Sequence, residues 1–326
     1  MSVILLTGPV EPPTEEVLKD FGEIVIAPKD DEETLCSLAG DAVGIVARGN
    51  SLITSAVIAA APNLKVIGRS GIGFDSVDVA AATARGIPVV ITPNGPTGAV
   101  AEGVMALLLA VLKRLAEFTD AVRAGEWSAR LTTDVREIEG STFGLIGLGR
   151  IGRRVAKLCQ PFGATLLAAD PYVSADDARN AGVELVDLDT LVQRSDYISL
   201  HTPLTDETTH LVDAEFLERC KPGVVIINVS RGPLVDLDAL CAALESGHVD
   251  GAGLDVFEPE PINPDHPILR HPRVVSTPHG IALTRLCKRL VFEDMTYGMV
   301  AVFNGQRPDA VANPAVYEAA ETGDGR

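Results

Sequence analysis

Gly147, Gly149 and Gly152 stand in a Gly-x-Gly-x-x-Gly pattern directly after the apolar run 143–146, and a second apolar run, 166–169, ends on Asp170. Each glycine has a physical task in such a pattern. Gly147 permits a tight turn, Gly149 lets backbone approach a pyrophosphate, and Gly152 lets the following helix sit close to the strand. That helix, with Val155, Ala156, Leu158 and Cys159 apolar against Arg153, Arg154 and Lys157, would turn its free N–H groups and positive dipole end toward the phosphates. Asp170 lies 170 − 152 = 18 residues past the last glycine, near the spacing of about 20 at which a carboxylate accepts from ribose hydroxyls. A carboxylate there repels the extra phosphate of NADP, and no arginine follows at once, only Pro171 and Tyr172. The strand–turn–helix–strand context points to NAD.

Other ionisable residues follow apolar runs in the same way. His201 follows 197–200, Arg231 follows 224–229, Asp255 through Glu260 follow 251–254, and His279 follows 274–277. In doubly wound sheets ligands bind beyond the carboxyl ends of the strands, so these residues gather at one edge. Arg231 is a permanent cation with a fork suited to a carboxylate and an adjacent carbonyl oxygen. A histidine, with an ordinary pKa of roughly 6.5, can give or take a proton near neutrality; His279 is the candidate. Glu260 would orient that ring and favour its protonated form. His201 reads as a non-catalytic polar residue at the same rim. The set is suited to hydride transfer.

The elements that must position these groups alternate. In the first part, 3–6, 24–27, 44–47, 66–68 and 88–91 are expected strands, and 14–21, 32–38, 55–60 and 77–85 expected helices. Such βαβ alternation implies a parallel sheet covered on both faces. After Pro93-Asn94-Gly95-Pro96 a helical pattern carries Leu108, Val111, Leu112, Leu115, Phe118 and Val122 and ends near Gly125. It suits a connector between domains, a surface covered by a second subunit, or an ordinary core helix; periodicity does not separate these. Strands are then expected at 143–146, 165–169, 197–200, 224–229, 251–255 and 274–277, a last helix at 285–303, and a frayed polar tail from Glu318 to Arg326. The fold class is α/β with two doubly wound parallel-sheet domains.

With 326 residues, 46% hydrophobic and 22% charged, the chain has ample core material. Its formal net charge of −18 disfavours nucleic acid and anionic membrane as partners, since both need a cationic footprint. The five cysteines form no Cys-x-x-Cys and pair with no nearby His at zinc spacing, so no metal site is expected and reduced thiols fit a cytoplasmic protein. The N-terminus lacks a basic segment and its apolar run is too short for a signal peptide or membrane span. No Gly-x-Ser-x-Gly, Gly-Lys-Ser/Thr or His-Glu-x-x-His motif is present.

Asn228-Val229-Ser230-Arg231-Gly232-Pro233-Leu234-Val235-Asp236 resembles the long signature of the D-isomer-specific 2-hydroxyacid dehydrogenases, as do Gly253-Leu254-Asp255-Val256-Phe257-Glu258-Pro259-Glu260-Pro261 and Thr277-Pro278-His279. The resemblance covers almost the whole chain and includes Gly68-Arg69-Ser70-Gly71-Ile72-Gly73-Phe74-Asp75 and Val100-Ala101-Glu102. It implies an NAD-dependent oxidoreductase moving hydride between nicotinamide and a D-2-hydroxy acid or 2-oxo acid of the 3-phosphoglycerate, glycerate/hydroxypyruvate or glyoxylate class. Arg231, Glu260 and His279 would be the catalytic set, and the amides of Ser70, Gly71, Ile72 and Gly73 would, with Arg231, hold the substrate carboxylate. Cofactor positions would be Gly147, Gly149, Arg150, Ile151, Gly152, Asp170, Thr202, Val229, Ser230, Arg231, Asp255, His279 and Gly280. The resemblance also implies a flavodoxin-like substrate domain of residues 1–96 plus 284–326, into which a Rossmann cofactor domain of 97–283 is inserted. It implies a homodimer through the cofactor domain, which suits the apolar stretch 104–111.

Gly280 departs from the family, which has a larger apolar residue there. The chain also ends without the regulatory extension of long phosphoglycerate dehydrogenases, so serine feedback through such a domain is not expected. Arg48, Arg69 and Arg285 are candidate ligands for a phosphate or second carboxylate, though each also reads as a surface or ion-pair residue. Two alternatives share the fold. A phosphite-type dehydrogenase would use the same His–Glu–Arg set, whereas formate-type enzymes pair the His with Gln. An NAD-sensing, corepressor-like binding protein would retain these residues with weak catalysis.

Overall fold

The computed structural model describes residues 2–49 and 51–321. The chain splits into two compact units, Met1–Pro96 with Thr284–Arg326, and Thr97–Leu283.

In the first unit, β1 (Val3–Leu6), β2 (Glu23–Ile26), β3 (Ala42–Ala47), β4 (Val66–Arg69) and β5 (Val89–Val90) form one parallel sheet in the order β2-β1-β3-β4-β5. This is the flavodoxin-like doubly wound order. Alternate side chains of each strand leave by opposite faces. Leu5, Ile45 and Ile67 enter one core, and Ile4, Leu6, Val46 and Val66 the other. The second core is closed by Met295 and Met299 of the helix Arg285–Phe303. A Cβ on Gly68 would crowd Met299 and Met295, so this helix lies directly on β4. Helices start where short polar side chains can hold the free N–H groups of the first turn. Asp31, Thr54, Asp78 and Thr284 all accept such bonds. Of the tail expected to fray, Glu318 to Glu321 belong to the helix Ala315–Glu321, and 322–326 lie outside the described residues.

The second unit holds β6 (Thr142–Ile146), β7 (Thr165–Ala169), β8 (Glu184–Leu185), β9 (Tyr197–Leu200), β10 (Val224–Asn228), β11 (Val249–Leu254) and β12 (Val274–Ser276). They form a parallel sheet in the order β12-β11-β10-β9-β6-β7-β8. This is the Rossmann order with a seventh strand added at one edge. All five residues of β10 are buried, as expected of a strand covered on both faces. Val225 and Ile227 point into one core, Val224 and Ile226 into the other. Strand β8 was not expected. It is two residues long at the sheet edge, half-exposed, and so leaves no apolar run to read. The strand order reverses between β6 and β9, and the crevice at such a switch point is where this fold binds ligands.

The long helical pattern is two helices, Asn94–Leu112 and Leu115–Ala124. The break is at Arg114, a non-glycine residue with φ 49°. Its backbone turns left-handed, which L-residues adopt at a cost, because its buried guanidinium is captured. Nη2 reaches both carboxylate oxygens of Asp250 at 2.7 and 2.8 Å, and Nη1 the Asp250 carbonyl at 3.1 Å. Arg273 and Arg136 bond the same carboxylate at 3.0 and 3.5 Å. The helix Asn94–Leu112 is long and apolar enough to cross a membrane, yet over half of it is buried. Val104, Leu107, Leu108 and Val111 pack in the core of this unit. One face of the stretch 104–111 is therefore internal, while Ala106 is exposed and Leu109 and Ala110 are half-buried. The large exposed apolar side chains lie just beyond it, at Leu115, Val122, Trp127, Leu131 and Val135.

Candidate active site

At the end of β6, Gly147 has φ 97°, which only glycine adopts readily. A Cβ there would stand 2.7 Å from the His201 carbonyl oxygen. Gly152 is buried, and a Cβ on it would strike the Gly147 carbonyl. Gly149 is the N-cap of the helix Arg150–Cys159, with no side chain capping its first turn, and a Cβ on Gly149 would meet nothing within 4 Å. An uncapped helix N-terminus beside open space is an anion site. Arg150 is exposed and Ile151 half-buried at this helix start. Asp170 follows β7 and is held at both oxygens, accepting from Leu148 N at 2.8 Å and Tyr172 N at 2.9 Å. The Asp170 carboxylate is thus locked to the glycine turn.

His201, after β9, lies against these glycines; its Cδ2 is 3.8 Å from where a Gly152 Cβ would be. Both ring nitrogens are buried without a hydrogen-bond partner. Burial pushes its pKa down to about 3, so the ring is neutral near pH 7 and exchanges no proton there. Open space at Gly149, an uncapped helix start and orphaned imidazole nitrogens beside it all fit a dinucleotide. The same burial makes His201 a liability in acid. The unfolded chain takes up a proton below about 6.5, the folded protein only near 3. Stability therefore falls as pH drops through this window. His201→Leu is expected to move the acid-unfolding midpoint to lower pH, read by circular dichroism; an unmoved midpoint would contradict this.

After β10, Asn228 is 1% exposed and holds the next turn from both sides. Its Oδ1 accepts from Ser230 N at 3.0 Å and its Nδ2 donates to Arg231 O at 2.8 Å. Ser230 Oγ donates to Thr202 O at 2.7 Å, and Arg231 Nη1 to Ser230 O at 2.7 Å. The neighbouring Val229 is 9% exposed. After β11, the Asp255 carboxylate, 3% exposed, collects Thr277 Oγ1 at 2.6 Å, Gly280 N at 2.9 Å and Ile281 N at 3.1 Å. His279 N donates to Asp255 O at 2.7 Å. This holds His279 in a left-handed turn with φ 49°. Its ring Nδ1 lies 2.8 Å from Glu260 Oε2, and Glu260 Oε1 accepts from Phe257 N at 3.0 Å. Glu260 thus occupies Nδ1 of the ring. Its second oxygen is fixed to backbone, so the ring is held in place as well as in tautomer. A Cβ on Gly280 would have no neighbour closer than 3.7 Å, so a side chain could start there without a clash; nothing in the structure explains the glycine.

In the first unit, Ser70–Gly73 follow β4. Ser70 N is spent on Ala47 O at 3.0 Å, Gly71 N on Arg69 O at 2.9 Å, and Thr92 N donates to Gly71 O at 3.0 Å. Two of the four amides expected to meet a carboxylate are therefore engaged within their own sheet. Ile72 and Gly73 N–H make no backbone hydrogen bond among the described residues. Arg69 Nη1 donates to Ser70 O at 2.7 Å. Arg48 lies over the Phe292 ring, 5.5 Å from its centroid, and Arg285 opens the helix Arg285–Phe303. No group of metal-ligating side chains occurs among the described residues.

Three features escaped the sequence reading. Asn228 was read only as part of a signature, and its signal was a lone polar residue closing a run of four apolar ones. Asp250 and the pair His210–Glu258 carried no spacing that marks them.

Residues 105–280 match the family model of the D-isomer specific 2-hydroxyacid dehydrogenase, NAD binding domain. The chain is 40% identical over 312 residues to the D-3-phosphoglycerate dehydrogenase of Mycobacterium tuberculosis, covering 95% of this chain and 59% of that protein. It is 38% identical over 323 residues to the glyoxylate reductase of Thermofilum pendens, covering 96% of this chain and 95% of the relative. The solved D-lactate dehydrogenase from Aquifex aeolicus, complexed with NAD and lactic acid, aligns with a TM-score of 0.85 at 32% identity over 93% of this chain and 96% of its own. The chain thus spans 59% of the length of the first relative and nearly all of the other two. With a cofactor fingerprint, a His–Glu pair and an arginine at successive strand ends, and with these likenesses over nearly its whole length, the chain belongs to the D-isomer-specific 2-hydroxyacid dehydrogenases and carries their NAD-binding domain.

Proposed function

We propose that the protein interconverts a D-2-hydroxy acid and its 2-oxo acid using NAD(H). The observation that carries the reading is the His279–Glu260 pair at 2.8 Å, displayed on the same strand-end edge as the fingerprint and Arg231. NAD, when bound, accepts or supplies the hydride. The side chains do the rest. Arg231 draws in the substrate carboxylate and polarises the 2-oxo group. In reduction, Nε2 of His279 gives a proton to the carbonyl oxygen as C2 becomes tetrahedral, and in oxidation it takes the hydroxyl proton back. Glu260 stabilises the protonated ring that cycles between these states. Asp170, fixed in place, selects NAD over NADP.

Substrates are proposed in the glyoxylate, hydroxypyruvate/glycerate and 3-phosphoglycerate classes, of which the first and last appear in the relatives' names. A second copy of the chain is proposed to cover Leu115, Val122, Trp127 and Leu131, whose side chains are 52–73% exposed. A cytoplasmic location fits five free cysteines, with burial pushing the Cys159 and Cys220 thiols up to about 12.

The test is nicotinamide absorbance with NADH and glyoxylate, hydroxypyruvate, pyruvate, phosphohydroxypyruvate or 2-oxoglutarate, with NADPH in parallel and the mass in solution measured on the same sample. Rapid NADH oxidation with one acid, slow NADPH oxidation and twice the chain mass are expected. No turnover with NADH binding intact would sink the reading, and phosphite oxidation or capture of a protein partner would then take its place.

A further inference from the structure

A second histidine–carboxylate pair stands beside the first. His210 Nε2 lies 2.7 Å from Glu258 Oε2, with both side chains nearly half exposed. His210 is one of three non-glycine residues with positive φ among the described residues, at 52°, a conformation that needs something to hold it. Its backbone N–H donates to Pro233 O at 2.7 Å, and the zipper continues with Val212 N to Leu234 O at 3.0 Å and Asp236 N to Val212 O at 3.1 Å. The segment carrying His210 is therefore bound to the segment that begins with Arg231. Its ring reaches the other catalytic segment, since Glu258 is two residues before Glu260. The two catalytic segments also touch directly, because a Cβ on Gly232 would run into the Phe257 carbonyl. A continuous series of contacts thus leads from Pro233 through His210, Glu258, Phe257 and Glu260 to His279.

An exposed ion pair contributes little to global stability. Fixing two loops that must present Arg231 and Glu260 at a set separation is a different task, because sub-ångström misplacement of reacting groups weighs heavily on rate. We propose that His210 and Glu258 are a positioning pair: they clasp the Arg231 segment to the Glu260 segment and so hold the arginine and the His279–Glu260 pair in register for catalysis. This rests on the dehydrogenase reading above.

The test compares Glu258→Ala, Glu258→Gln, His210→Asn and the double variant Glu258→Ala/His210→Asn. Asparagine tolerates the left-handed backbone but cannot reach Glu258. Steady-state kinetics on the best 2-oxo acid, NADH affinity by fluorescence and Tm are measured for each. Glu258→Ala and His210→Asn are expected to lower kcat about tenfold, with NADH Kd within about twofold and Tm within roughly 3 °C of the parent. Glu258→Gln, which keeps an acceptor oxygen, should recover most of the loss, and the double variant should be no worse than either single one. Unchanged kcat, a loss that follows Tm, or multiplicative losses in the double variant would overturn the clasp. Should the parent protein turn over none of the acids, the dehydrogenase reading fails and the clasp is read by amide exchange. Faster exchange in Glu258→Ala at both 231–236 and 255–261 would support it, and unchanged exchange in either would overturn it.

Discussion

His279→Asn is expected to lower kcat by roughly 10²–10⁴-fold, equivalent to about 3–5 kcal/mol of transition-state stabilisation, while NADH binds as before. Asparagine is the informative replacement. His279 sits at φ 49°, and asparagine is among the few non-glycine residues that enter this region readily. The turn tied to Asp255 should therefore survive, and the loss isolates the proton-transferring ring. Glu260→Gln should show a smaller loss, since it can still bond Nδ1 but cannot balance the charge of the protonated ring. A His279→Asn protein with near-normal turnover would remove the histidine from the chemistry; a large loss of NADH affinity would show that the turn had collapsed.

Asp250→Ala is expected to destabilise the second unit by about 3–5 kcal/mol, because it leaves a buried guanidinium uncompensated. The Arg114 side chain is 5% exposed and its charge is matched only by this carboxylate among the described ion pairs. Arg136 and Arg273 are more exposed, at 29% and 43%, and can turn to water. The unit spans Thr97–Leu283, a size for which each kcal/mol shifts Tm by roughly 2–4 °C, so a fall of roughly 10 °C is the expected reading in a thermal melt. A change below about 1 kcal/mol would show that the kink at Arg114 is held by packing alone.

That kink shows where the sequence stops being informative. The apolar positions from Leu108 to Val122 keep helical spacing without interruption, and local propensity contains nothing to stop the helix. The break comes from a carboxylate 136 residues further on, a distance no periodicity registers. The edge strand Glu184–Leu185 was hidden for the opposite reason, since two half-exposed residues make no pattern. Where burial is one-sided or complete, reading was direct. Val3–Leu6, Glu32–Leu38, Ser55–Ala60 and Arg285–Phe303 begin and end where their apolar spacing and polar caps place them. The parallel sheets follow from the same alternation.

The site was legible in its residue types and less so in its supports. Glycines, carboxylates and a histidine at strand ends announce their chemistry, and Glu260 and His279 do stand within hydrogen-bonding distance. What orients them is a set of supporting side chains. Asp255 gathers a turn, Asn228 spans another, and His210 reaches between two loops. The turn at Ser70–Gly73 makes the same point from the other side. Its glycines suggest four available amides, but the fold consumes those of Ser70 and Gly71, which only coordinates reveal.

The most direct measurement follows the hydride itself. NADH deuterated at the transferring position of the nicotinamide is incubated with the protein and the best of hydroxypyruvate, pyruvate, phosphohydroxypyruvate and 2-oxoglutarate, whose reduced products are chiral at C2, and the product is examined by mass spectrometry and chiral chromatography. The expected product is the D-2-hydroxy acid with the deuterium bound at C2. An unlabelled product, an L-configured one, or no hydroxy acid from any acid of the panel would contradict the proposed reaction.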